Sequence, residues 1–403
     1  MKSHQGDALL LLDSIKQSLT APHSTSADHA QILADISRLQ LAVETPLETI
    51  YRIGHQTWQN ACVRIALELG VFDTLHAKDA DSVGVQELAS APGADTVFLV
   101  RVMRVVVALG LCDEAGLNEY NANPKTKIMT TPQGISSFKS WFDIFTPAAV
   151  KLPEYMRSQN YQNPTQSTNS AFVYATGSEF WDFLNKTPIQ SHHFNDFMAT
   201  RRQGKPSWYD IYPVDQELLF SCSNAETNPE EGRDVLLVDV GGNRGHDLVK
   251  LKTKYPKLDG RLILQDLPDV VAHASFDPED DKAIEAMPHD FFQPQPVRHA
   301  RAYHFRAIFH DWPDDSCRRI LSHTAAAMKP CYSKLLISEF VLPDAATALF
   351  PATLDIQMMG LHAGMERSEK QWQILLDSAG LEIVKIWQEV KGGEAVIEAV
   401  LKN

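Results

Sequence analysis

A histidine that follows a predicted buried strand is the clearest candidate for acid–base chemistry in this chain. The segment Arg306–Asp315 reads RAIFHDWPDD, and a strand predicted from residue 302 onward runs into His310. Because ligands of doubly wound folds bind at the carboxyl ends of strands, this histidine would face a ligand. A pKa near neutrality suits an imidazole to remove a proton from a hydroxyl group. A single histidine can also simply cap or pack, so its role depends on its surroundings.

A glycine-rich turn is the second stretch whose residue types could bind a ligand. The apolar run at 235–240 (VLLVDV) is followed by Gly241, Gly242 and Gly245, and then by a helical pattern. Glycine permits positive φ values and lets a ligand approach the backbone closely. Such a turn binds nucleotide-like ligands at the end of a parallel strand, although it can also be an ordinary strand–helix turn.

Two acidic residues restrict what the glycine turn can bind. Asp239 lies inside the first strand, where a buried carboxylate needs hydrogen-bond donors. Asp266 ends a second apolar strand at 262–266, where a doubly wound fold has the carboxylate that holds ribose hydroxyls. The adjacent glycines do not fit the dinucleotide fingerprint, and the two acids would repel a pyrophosphate. A positively charged nucleoside suits the site better.

The glycine turn, the acids and the His-Asp-Trp-Pro-Asp segment at 310–314 together resemble one enzyme family. They are similar to the S-adenosylmethionine-dependent O-methyltransferases of fungi and plants that act on small molecules, the caffeate-type family. The resemblance implies an α/β, doubly wound Rossmann-like methyltransferase domain after a mostly helical, winged-helix dimerisation domain. It also implies methyl transfer from S-adenosylmethionine to a phenolic or enolic hydroxyl of a secondary metabolite, with S-adenosylhomocysteine as product and His310 as general base.

A general base needs a partner that orients its ring, and two acids are candidates. Glu339 ends a predicted strand at 334–339, and Glu366 lies just before a predicted helix start at Ser368. The resemblance implies that both acids flank His310. A carboxylate bonded to one ring nitrogen fixes the tautomer and stabilises the imidazolium. Glu366 could instead be an ordinary acid near a helix start. No metal is expected, because the acids lack an obvious three-ligand cluster.

The resemblance also implies which residues hold the cofactor. Asp266 should bind the ribose hydroxyls, while Asp290 and Phe291 should meet the adenine. A basic residue near the cofactor and a tryptophan covering the adenine complete the expected site. The full predicted set is Asp239, Gly241, Gly242, Gly245, Asp266, Leu267, Asp290, Phe291, Arg306 and Trp312. Asn243 departs from the family pattern, in which a third glycine is common, but asparagine tolerates the left-handed conformation better than most residues.

An aromatic-rich stretch in the middle of the chain is the candidate substrate pocket. Prolines break residues 136–213 into short predicted helices. Most of the rings should be core, and a minority should wall a flat, apolar ligand, since small-molecule pockets are largely aromatic with a few polar groups. The residues predicted to line the pocket are Phe180, Trp181, Phe194, Phe197 and Met198. The expected ligand is an aromatic or polyketide-type small molecule.

The predicted elements divide the chain into three parts. The predicted domains are 1–135, helical and winged-helix; 136–215, the aromatic linker; and 216–403, the catalytic domain. From about residue 234 strands alternate with helices, as a parallel sheet requires, and a closing hairpin is predicted at 382–401. A small β wing is predicted at 111–128. For residues 1–45 the sequence leaves open whether the first helix is mobile or packs on a partner subunit.

Composition excludes several other partners. The chain has 403 residues and a net charge of −14, which argues against nucleic acid or an anionic membrane as the main partner. A winged helix could bind DNA, but the helix at 95–109 is apolar on nearly every face. Five scattered cysteines, without a CxxC pair or a signal peptide, predict reduced thiols in a cytoplasmic protein. The resemblance implies a homodimer.

One alternative keeps the fold and changes the chemistry. Some fungal proteins of the resembled family are pericyclases or dehydratases that act on a polyketide or alkaloid, retain the cofactor and move no methyl group. The presence of His310, Glu339 and Glu366 argues against this alternative, because such proteins need no base arranged to abstract a proton.

Overall fold

The computed structural model describes most of the chain. The described residues are 2–20, 26–78, 81–200, 206–219, 235–274, 276 and 284–402. The chain divides into two units, which we describe separately. The first comprises Met1–Thr146 and Thr187–Lys205, and the second comprises Pro147–Lys186 and Pro206–Asn403. The predicted linker at 136–215 is therefore shared between the two units.

Helices and strands both occur throughout the described residues. The helices are α1 (Lys2–Thr20), α2 (Ser26–Val43), α3 (Pro46–Glu68), α4 (Val71–Ala77), α5 (Val85–Ser90), α6 (Thr96–Ala108), α7 (Pro124–Ile128), α8 (Pro132–Lys139), α9 (Thr146–Ser158), α10 (Ala171–Thr176), α11 (Phe180–Lys186), α12 (Pro188–Thr200), α13 (Trp208–Ile211), α14 (His246–Lys254), α15 (Pro268–Val271), α16 (Asp314–Ala327), α17 (Leu349–His362) and α18 (Glu369–Asp377). The strands are β1 (Val83–Gly84), β2 (Asp113–Gly116), β3 (Glu119–Asn121), β4 (Val235–Val240), β5 (Arg261–Asp266), β6 (Ile284–Pro288), β7 (Ala302–Arg306), β8 (Lys334–Leu342), β9 (Arg367–Ser368), β10 (Leu381–Gln388) and β11 (Glu394–Leu401).

The first unit is mainly helical and has its own apolar core. Helix α6 begins at the N-cap Asp95, whose side chain accepts a hydrogen bond from the N–H of Phe98. The helix buries Leu99, Val102, Met103 and Val106 in this core. The apolar side chains on one face of α6 therefore pack in the core of this unit.

A small antiparallel sheet completes the first unit, in the order β1-β3-β2. The predicted β wing is only partly correct, because residues 124–128 form helix α7 instead of a strand. Pro124 occupies the first turn of this helix, and the side chain of Asn123 accepts hydrogen bonds from Lys125 and Thr126. This capping arrangement favours a helix over a strand at that point.

The second unit is built on one large sheet in the order β10-β11-β8-β7-β4-β5-β6. Strands β4, β5, β6, β7 and β8 run parallel, whereas β11 pairs antiparallel with both β8 and β10. The predicted parallel sheet and its closing antiparallel hairpin are both present. The chain runs outward from β4 to β6 and then returns to β7 on the other side of β4. The carboxyl ends of β4 and β7 therefore form the point where doubly wound folds bind ligands.

Both faces of the large sheet are buried, which explains the uninterrupted apolar sequence of its central strands. Side chains of β4 are divided between two cores: Val238 belongs to the core that includes Ile320 and Trp372, while Leu237 belongs to the core that includes Leu251 and Trp208. All six residues of β4 are buried. The sheet thus gives the polar groups at its carboxyl edge a rigid support.

Candidate active site

His310 lies in a short 3-10 turn just beyond β7, at the carboxyl edge of the sheet. The strand ends at Arg306, earlier than predicted, because Ala307 has a φ of 53° and turns the chain out of the extended conformation. His310 is 5% exposed. A histidine that is buried at this edge can reach a ligand only along a defined direction.

Glu339 fixes the backbone of this turn. Its Oε1 accepts hydrogen bonds from the N–H groups of Ile308, Phe309 and His310, at 3.0, 2.6 and 3.3 Å. The carboxylate thereby supplies the hydrogen-bond acceptor that these three amides would otherwise lack. The hydrogen bonds of Glu339 in this arrangement go to the main chain of the turn and not to the ring of His310.

Glu366 orients the ring itself. Oε1 of Glu366 lies 2.6 Å from Nδ1 of His310, and the N–H of Glu366 donates to Asp355 at 2.9 Å. An ionised carboxylate can only accept, so Nδ1 carries the proton that joins the pair. In the neutral form of the ring, the other nitrogen, Nε2, then has its lone pair available to take a proton. Both acids predicted to flank the base are therefore next to it, in different roles.

The electrostatic environment favours a charged His310. Burial is the largest influence and lowers the pKa of the ring, but the carboxylates of Glu366 and Asp311 together outweigh it and raise the pKa to about 9. Burial raises the pKa of Glu339 to about 7, against the opposing effect of the nearby His310 charge. His310 and Glu339 therefore hold their protons more tightly than usual, and their protonation changes near and above neutral pH.

The expectation that the acids near the base lack a three-ligand cluster is wrong. His310, Glu339 and Glu366 each offer one ligand atom, and these atoms lie within 4.8 Å of one another. Oε2 of both glutamates is buried and has no hydrogen-bond partner among the described residues. These atoms belong to the groups that hold the proton, so a cation and a proton would compete for them.

The glycine turn lies beside this base, between β4 and α14. Gly241 has a φ of 72°, and a Cβ on it would lie 2.5 Å from Cδ1 of Ile308. A Cβ on Gly242 would lie 2.5 Å from Oδ2 of Asp239. Asn243, the residue that departs from the family pattern, has a φ of 56° and therefore adopts the left-handed conformation. The close packing of this turn admits glycine and little else.

Asp266 lies at the end of β5, next to the glycine turn. Its Oδ2 accepts the N–H of Asn243 and its Oδ1 accepts the N–H of Leu267, both at 2.8 Å. Burial raises the pKa of this carboxyl, and the two hydrogen bonds partly oppose that effect. Each carboxylate oxygen retains a further lone pair, so the group can still accept from two hydroxyls. The carboxylate is thus fixed in a form suited to a ribose.

The predicted adenine residues form an aromatic group at the same edge. Rings of Phe291 and Trp312 lie 6.1 Å apart and nearly perpendicular, and a Cβ on Gly241 would be 3.8 Å from the Phe291 ring. Asp290 accepts the N–H of Phe292 at 2.9 Å. Leu267 is 52% exposed, so its side chain contributes little to packing in the described structure.

Two members of the predicted cofactor set, Arg306 and Asp239, pair with side chains of the protein itself. Nε of Arg306 pairs with Oδ2 of Asp247, in the first turn of α14, at 2.8 Å. Asp239 is buried beneath Gly242, and its Oδ1 lies 2.8 Å from Nδ1 of His304. These contacts favour indirect roles, in which both residues support the turn rather than touch a ligand.

His304 was not predicted, and it forms a buried chain of polar groups across three strands. Its Nε2 lies 2.9 Å from Oγ of Ser338, and the ring of Trp208 stacks on it at 4.5 Å. His304 pairs in register with Asp239 of the neighbouring strand. The available signal in the sequence was a polar residue inside each of three largely apolar strands, namely Asp239, His304 and Ser338.

Two of the predicted substrate residues surround a second unpredicted histidine. The ring of Phe180 lies 4.5 Å from the ring of His362, edge to face, and the ring of Trp181 stacks on it at 5.7 Å. Nε2 of His362 is 3.7 Å from Oδ1 of Asp311, and Nε2 of His310 is 3.6 Å from the same atom. Burial lowers the pKa of His362, so this ring is neutral at physiological pH. The rings of Phe180 and Trp181 are thus linked to Nε2 of His310 through His362 and Asp311.

The other predicted substrate residues belong to the first unit. Phe194 and Phe197 are buried there, with ring distances of 6.5 Å from Phe145 to Phe194 and 5.4 Å from Trp141 to Phe197. Met198 is half-buried on the same helix, α12. Within this unit the two phenylalanines act as core.

The chain shows clear likeness to known proteins. Residues 52–131 match the model of the O-methyltransferase dimerisation domain, and residues 233–382 match that of the O-methyltransferase domain. Methyltransferase cfoC of Aspergillus candidus is 38% identical over 337 residues, which cover 83% of this chain and 82% of the relative. The chain belongs to the S-adenosylmethionine-dependent O-methyltransferase family. The predicted family, fold class, cofactor and transfer of methyl to a hydroxyl are thereby confirmed.

Further relatives of this O-methyltransferase cover nearly its whole length. Demethylsterigmatocystin 6-O-methyltransferase of Aspergillus flavus is 32% identical over 376 residues, with 93% of each chain covered. The structure of LepI in complex with S-adenosylmethionine matches with a TM-score of 0.86 and 27% identity over 100% of both chains. A structure described as a pericyclic reaction enzyme matches with a TM-score of 0.85 and 26% identity, also over 100% of both chains.

None of the helices in the described parts of the chain has both the length and the apolar composition needed to cross a bilayer.

Proposed function

We propose that this O-methyltransferase methylates a phenolic or enolic hydroxyl of a small aromatic or polyketide-type secondary metabolite, with Nε2 of His310 as the proton acceptor. The observation that carries the proposal is the 2.6 Å contact between Glu366 and Nδ1 of His310. It commits Nδ1 and leaves Nε2 as the ring atom that can accept a proton. Nε2 lies next to Asp311, beside the aromatic wall of Phe180 and Trp181.

The protein's own groups then prepare the acceptor oxygen. His310 takes the hydroxyl proton at Nε2, and Glu366 stabilises the imidazolium that forms. Glu339 keeps the turn that carries His310 in place through three amide hydrogen bonds. A positioned base contributes about 10²–10⁴-fold to a rate, and alignment of the reacting groups contributes further.

We assign the cofactor to the cradle formed by the glycine turn and Asp266. Gly241, Gly242 and Gly245 form a turn in which an added Cβ would collide with neighbouring side chains, and Asp266 has lone pairs for the ribose hydroxyls. When bound, S-adenosylmethionine supplies a methyl group on a positively charged sulfonium. The residues proposed for the adenine end are Asp290, Phe291 and Trp312, with Leu267 beside the ribose. Asp239 and Arg306 are proposed to support this cradle indirectly.

We assign the acceptor to the wall of Phe180 and Trp181, with His362 as an added polar group. His362 is buried among these rings, and no hydrogen bond to its ring nitrogens is found among the described residues. That Phe194, Phe197 and Met198 line the substrate pocket remains a prediction. The predicted domain boundaries at 135/136 and 215/216, the homodimer, the absence of a nucleic-acid partner and the cytoplasmic location also remain proposals.

A pericyclase or dehydratase that keeps the cofactor is the second candidate function. The likeness to a solved pericyclic reaction enzyme favours it. The close pairing of His310 with Glu366 favours methyl transfer over a pericyclic reaction, because a reaction without proton abstraction has no use for a base held in this tautomer. A dehydration would use such a base, so the assay for S-adenosylhomocysteine distinguishes it from methyl transfer.

The decisive experiment compares His310→Ala with the wild type on a panel of phenolic polyketides and alkaloids. We expect formation of S-adenosylhomocysteine to fall by about 10²–10⁴-fold, with binding of S-adenosylhomocysteine retained. His76→Ala is the matched control, because His76 is exposed on α4 in the first unit. Substrate conversion without S-adenosylhomocysteine would favour the pericyclase instead. Addition of EDTA should leave the wild-type rate unchanged if no metal takes part.

A further inference from the structure

Arg367 is a buried arginine that directly follows Glu366 in the chain. It opens the short strand β9, which pairs in parallel with the end of β8, the strand that carries Glu339. The residue is 1% exposed. Burial of a guanidinium is costly unless its donors are bonded and its charge is paired. The contacts of this side chain therefore indicate why the protein keeps a charge at this position.

The guanidinium binds the carbonyl groups of the turn that carries His310. Its Nη1 donates to the carbonyl of Phe309 at 3.0 Å, and its Nη2 donates to the carbonyl of Trp312 at 3.1 Å. These two carbonyls lie on either side of His310 in the chain. Because a guanidinium is planar and holds its donors in a fixed fork, it also fixes the distance between its acceptors. One side chain thus spans the turn from before the base to after it.

The main chain next to Arg367 binds the same turn. The N–H of Met365 donates to the carbonyl of His310 at 3.0 Å, and a Cβ on Gly364 would lie 2.0 Å from that carbonyl oxygen. The two segments are therefore in direct backbone contact. Glu366, which orients the ring, lies between the two residues of this segment that bind the carbonyl side of the turn.

Asp314 pairs with the charge of the guanidinium. Its Oδ1 accepts hydrogen bonds from Nη2 of Arg367 at 2.8 Å and from Nε at 3.2 Å. Asp314 lies in the first turn of α16, and the guanidinium carbon lies 5.3 Å from the centre of the Trp372 ring on α18. Arg367 therefore connects two helices with the turn of the base and with the segment of Glu366.

We propose that Arg367 is a positioning residue for proton transfer, which holds the main chain of His310 in register with the carboxylate of Glu366. This inference rests on the proposed function of His310 as the proton acceptor. His310 and Glu366 are 56 residues apart in the chain, so their 2.6 Å contact depends on whatever holds the two segments together. Arg367 is buried and bonded to carbonyls and to Asp314, so it acts through the turn and not on the substrate.

The test is Arg367→Met, assayed in single turnovers with a phenol that is protonated and with a nitrophenol of similar size that is already ionised. Methionine fills much of the space of the arginine stem but binds neither carbonyl. The nitrophenol needs no proton removal, so we expect the rate with the phenol, relative to that with the nitrophenol, to fall by about 10²-fold. A merely structural loss of folded protein would lower both rates equally and leave their ratio unchanged.

Arg301→Met is the matched control. Arg301 is 3% exposed, and its guanidinium also donates to main-chain carbonyls, those of Glu217 and Tyr332. It lies just before β7, at the opposite end of that strand from His310. Both arginine variants should lose stability in urea titrations, but Arg301→Met should keep the wild-type ratio of the two rates.

A second variant tests the same contact if Arg367→Met does not fold. The side chain of Asp314 is 45% exposed, so Asp314→Ala spares the core while it removes the partner of the guanidinium. We expect the ratio of the two rates to fall by about tenfold. Asp315→Ala changes the next residue of α16, which pairs with Arg318 instead, and should leave the ratio unchanged.

The outcomes separate this role from the proposed function. A wild-type ratio in Asp314→Ala and in folded Arg367→Met, together with a lowered ratio in His310→Ala, would overturn the positioning role and leave the base in place. A wild-type ratio in His310→Ala would overturn the proposed function itself. A ratio that falls equally in Arg301→Met would also contradict a specific role for Arg367.

Discussion

The large sheet carries two imidazole–carboxylate pairs, one inside it and one just beyond its carboxyl edge, and their surroundings give them different roles. His310 pairs with Glu366 at 2.6 Å beyond the edge of the sheet, and its Nε2 faces other polar groups at 3.6 Å or more. His304 pairs with Asp239 at 2.8 Å inside the sheet, and its Nε2 is already bonded to Ser338. The partner of the second ring nitrogen therefore decides whether such a pair can act on a ligand.

Burial reinforces this difference. His304 is completely buried and covered by the ring of Trp208, while Ser338 is also buried, so a Ser-His-Asp chain with good hydrogen bonds has no access to a substrate. Its contacts instead link the strand below the glycine turn to the strand that carries Glu339. We interpret the buried pair as support for the cradle and the edge pair as the catalytic base.

Removal of the carboxylate from the edge pair should have the largest effect. Glu366→Ala leaves His310 without the acceptor for Nδ1–H, so the ring loses its tautomer preference and the stabilisation of its charged form. We expect methyl transfer to slow by about 10²–10⁴-fold with cofactor affinity nearly unchanged, as measured by single-turnover assays and S-adenosylhomocysteine titration. An equally slow Glu369→Ala, a change at the start of α18 outside the pair, would contradict a specific role for Glu366.

Disruption of the buried pair should act mainly on stability. His304→Phe keeps a ring against Trp208 but leaves the Asp239 carboxylate without its donor, which should lower the free energy of unfolding by about 3–5 kcal/mol in urea titrations. Ser338→Ala removes a single hydrogen bond and should cost about 1 kcal/mol. We also expect weaker binding of S-adenosylhomocysteine by His304→Phe. Unchanged stability would show that the pair does not support the turn.

The smallest expected effect is a shift in the pH dependence of the rate, which should distinguish the two pairs. The pKa of His310 is raised to about 9, so its neutral, proton-accepting form increases as pH rises, and the rate should rise toward pH 9. The Glu366 charge favours the protonated ring, so Glu366→Gln should move the rising limb of the pH–rate profile to lower pH while lowering its plateau. His304→Phe should leave the position of the limb unchanged. A limb that moves in both variants would contradict the separation of roles.

The sequence was sufficient to predict the fold and the central residues of the site. The apolar run of β4, the glycines after it and the acid at the end of β5 specify a doubly wound fold, because each feature has a local physical cause. His310, Glu339 and Glu366 were found through resemblance to a family motif. Their different functions could not be predicted, because one glutamate binds three amides and the other binds the ring.

Other parts of the site depend on contacts between distant segments. His304 was missed because its partner, Asp239, is remote in sequence. His362 was missed because its partner, Asp311, also lies next to His310. The early end of β7 was missed because Ala307 gives no local signal for a positive φ. We predicted that Arg306 contacts the cofactor, but the sequence did not reveal its ion pair with Asp247, which lies in the first turn of α14.

The most direct test of the central claim compares two acceptors in the wild type and in His310→Ala. One acceptor is a phenol that is protonated at the assay pH, and the other is a nitrophenol of similar size that is already ionised. If Nε2 of His310 removes the hydroxyl proton, the variant should lose about 10²–10⁴-fold with the first acceptor and far less with the second. An equal loss with both acceptors would contradict the claim, because the histidine would then contribute something other than proton removal.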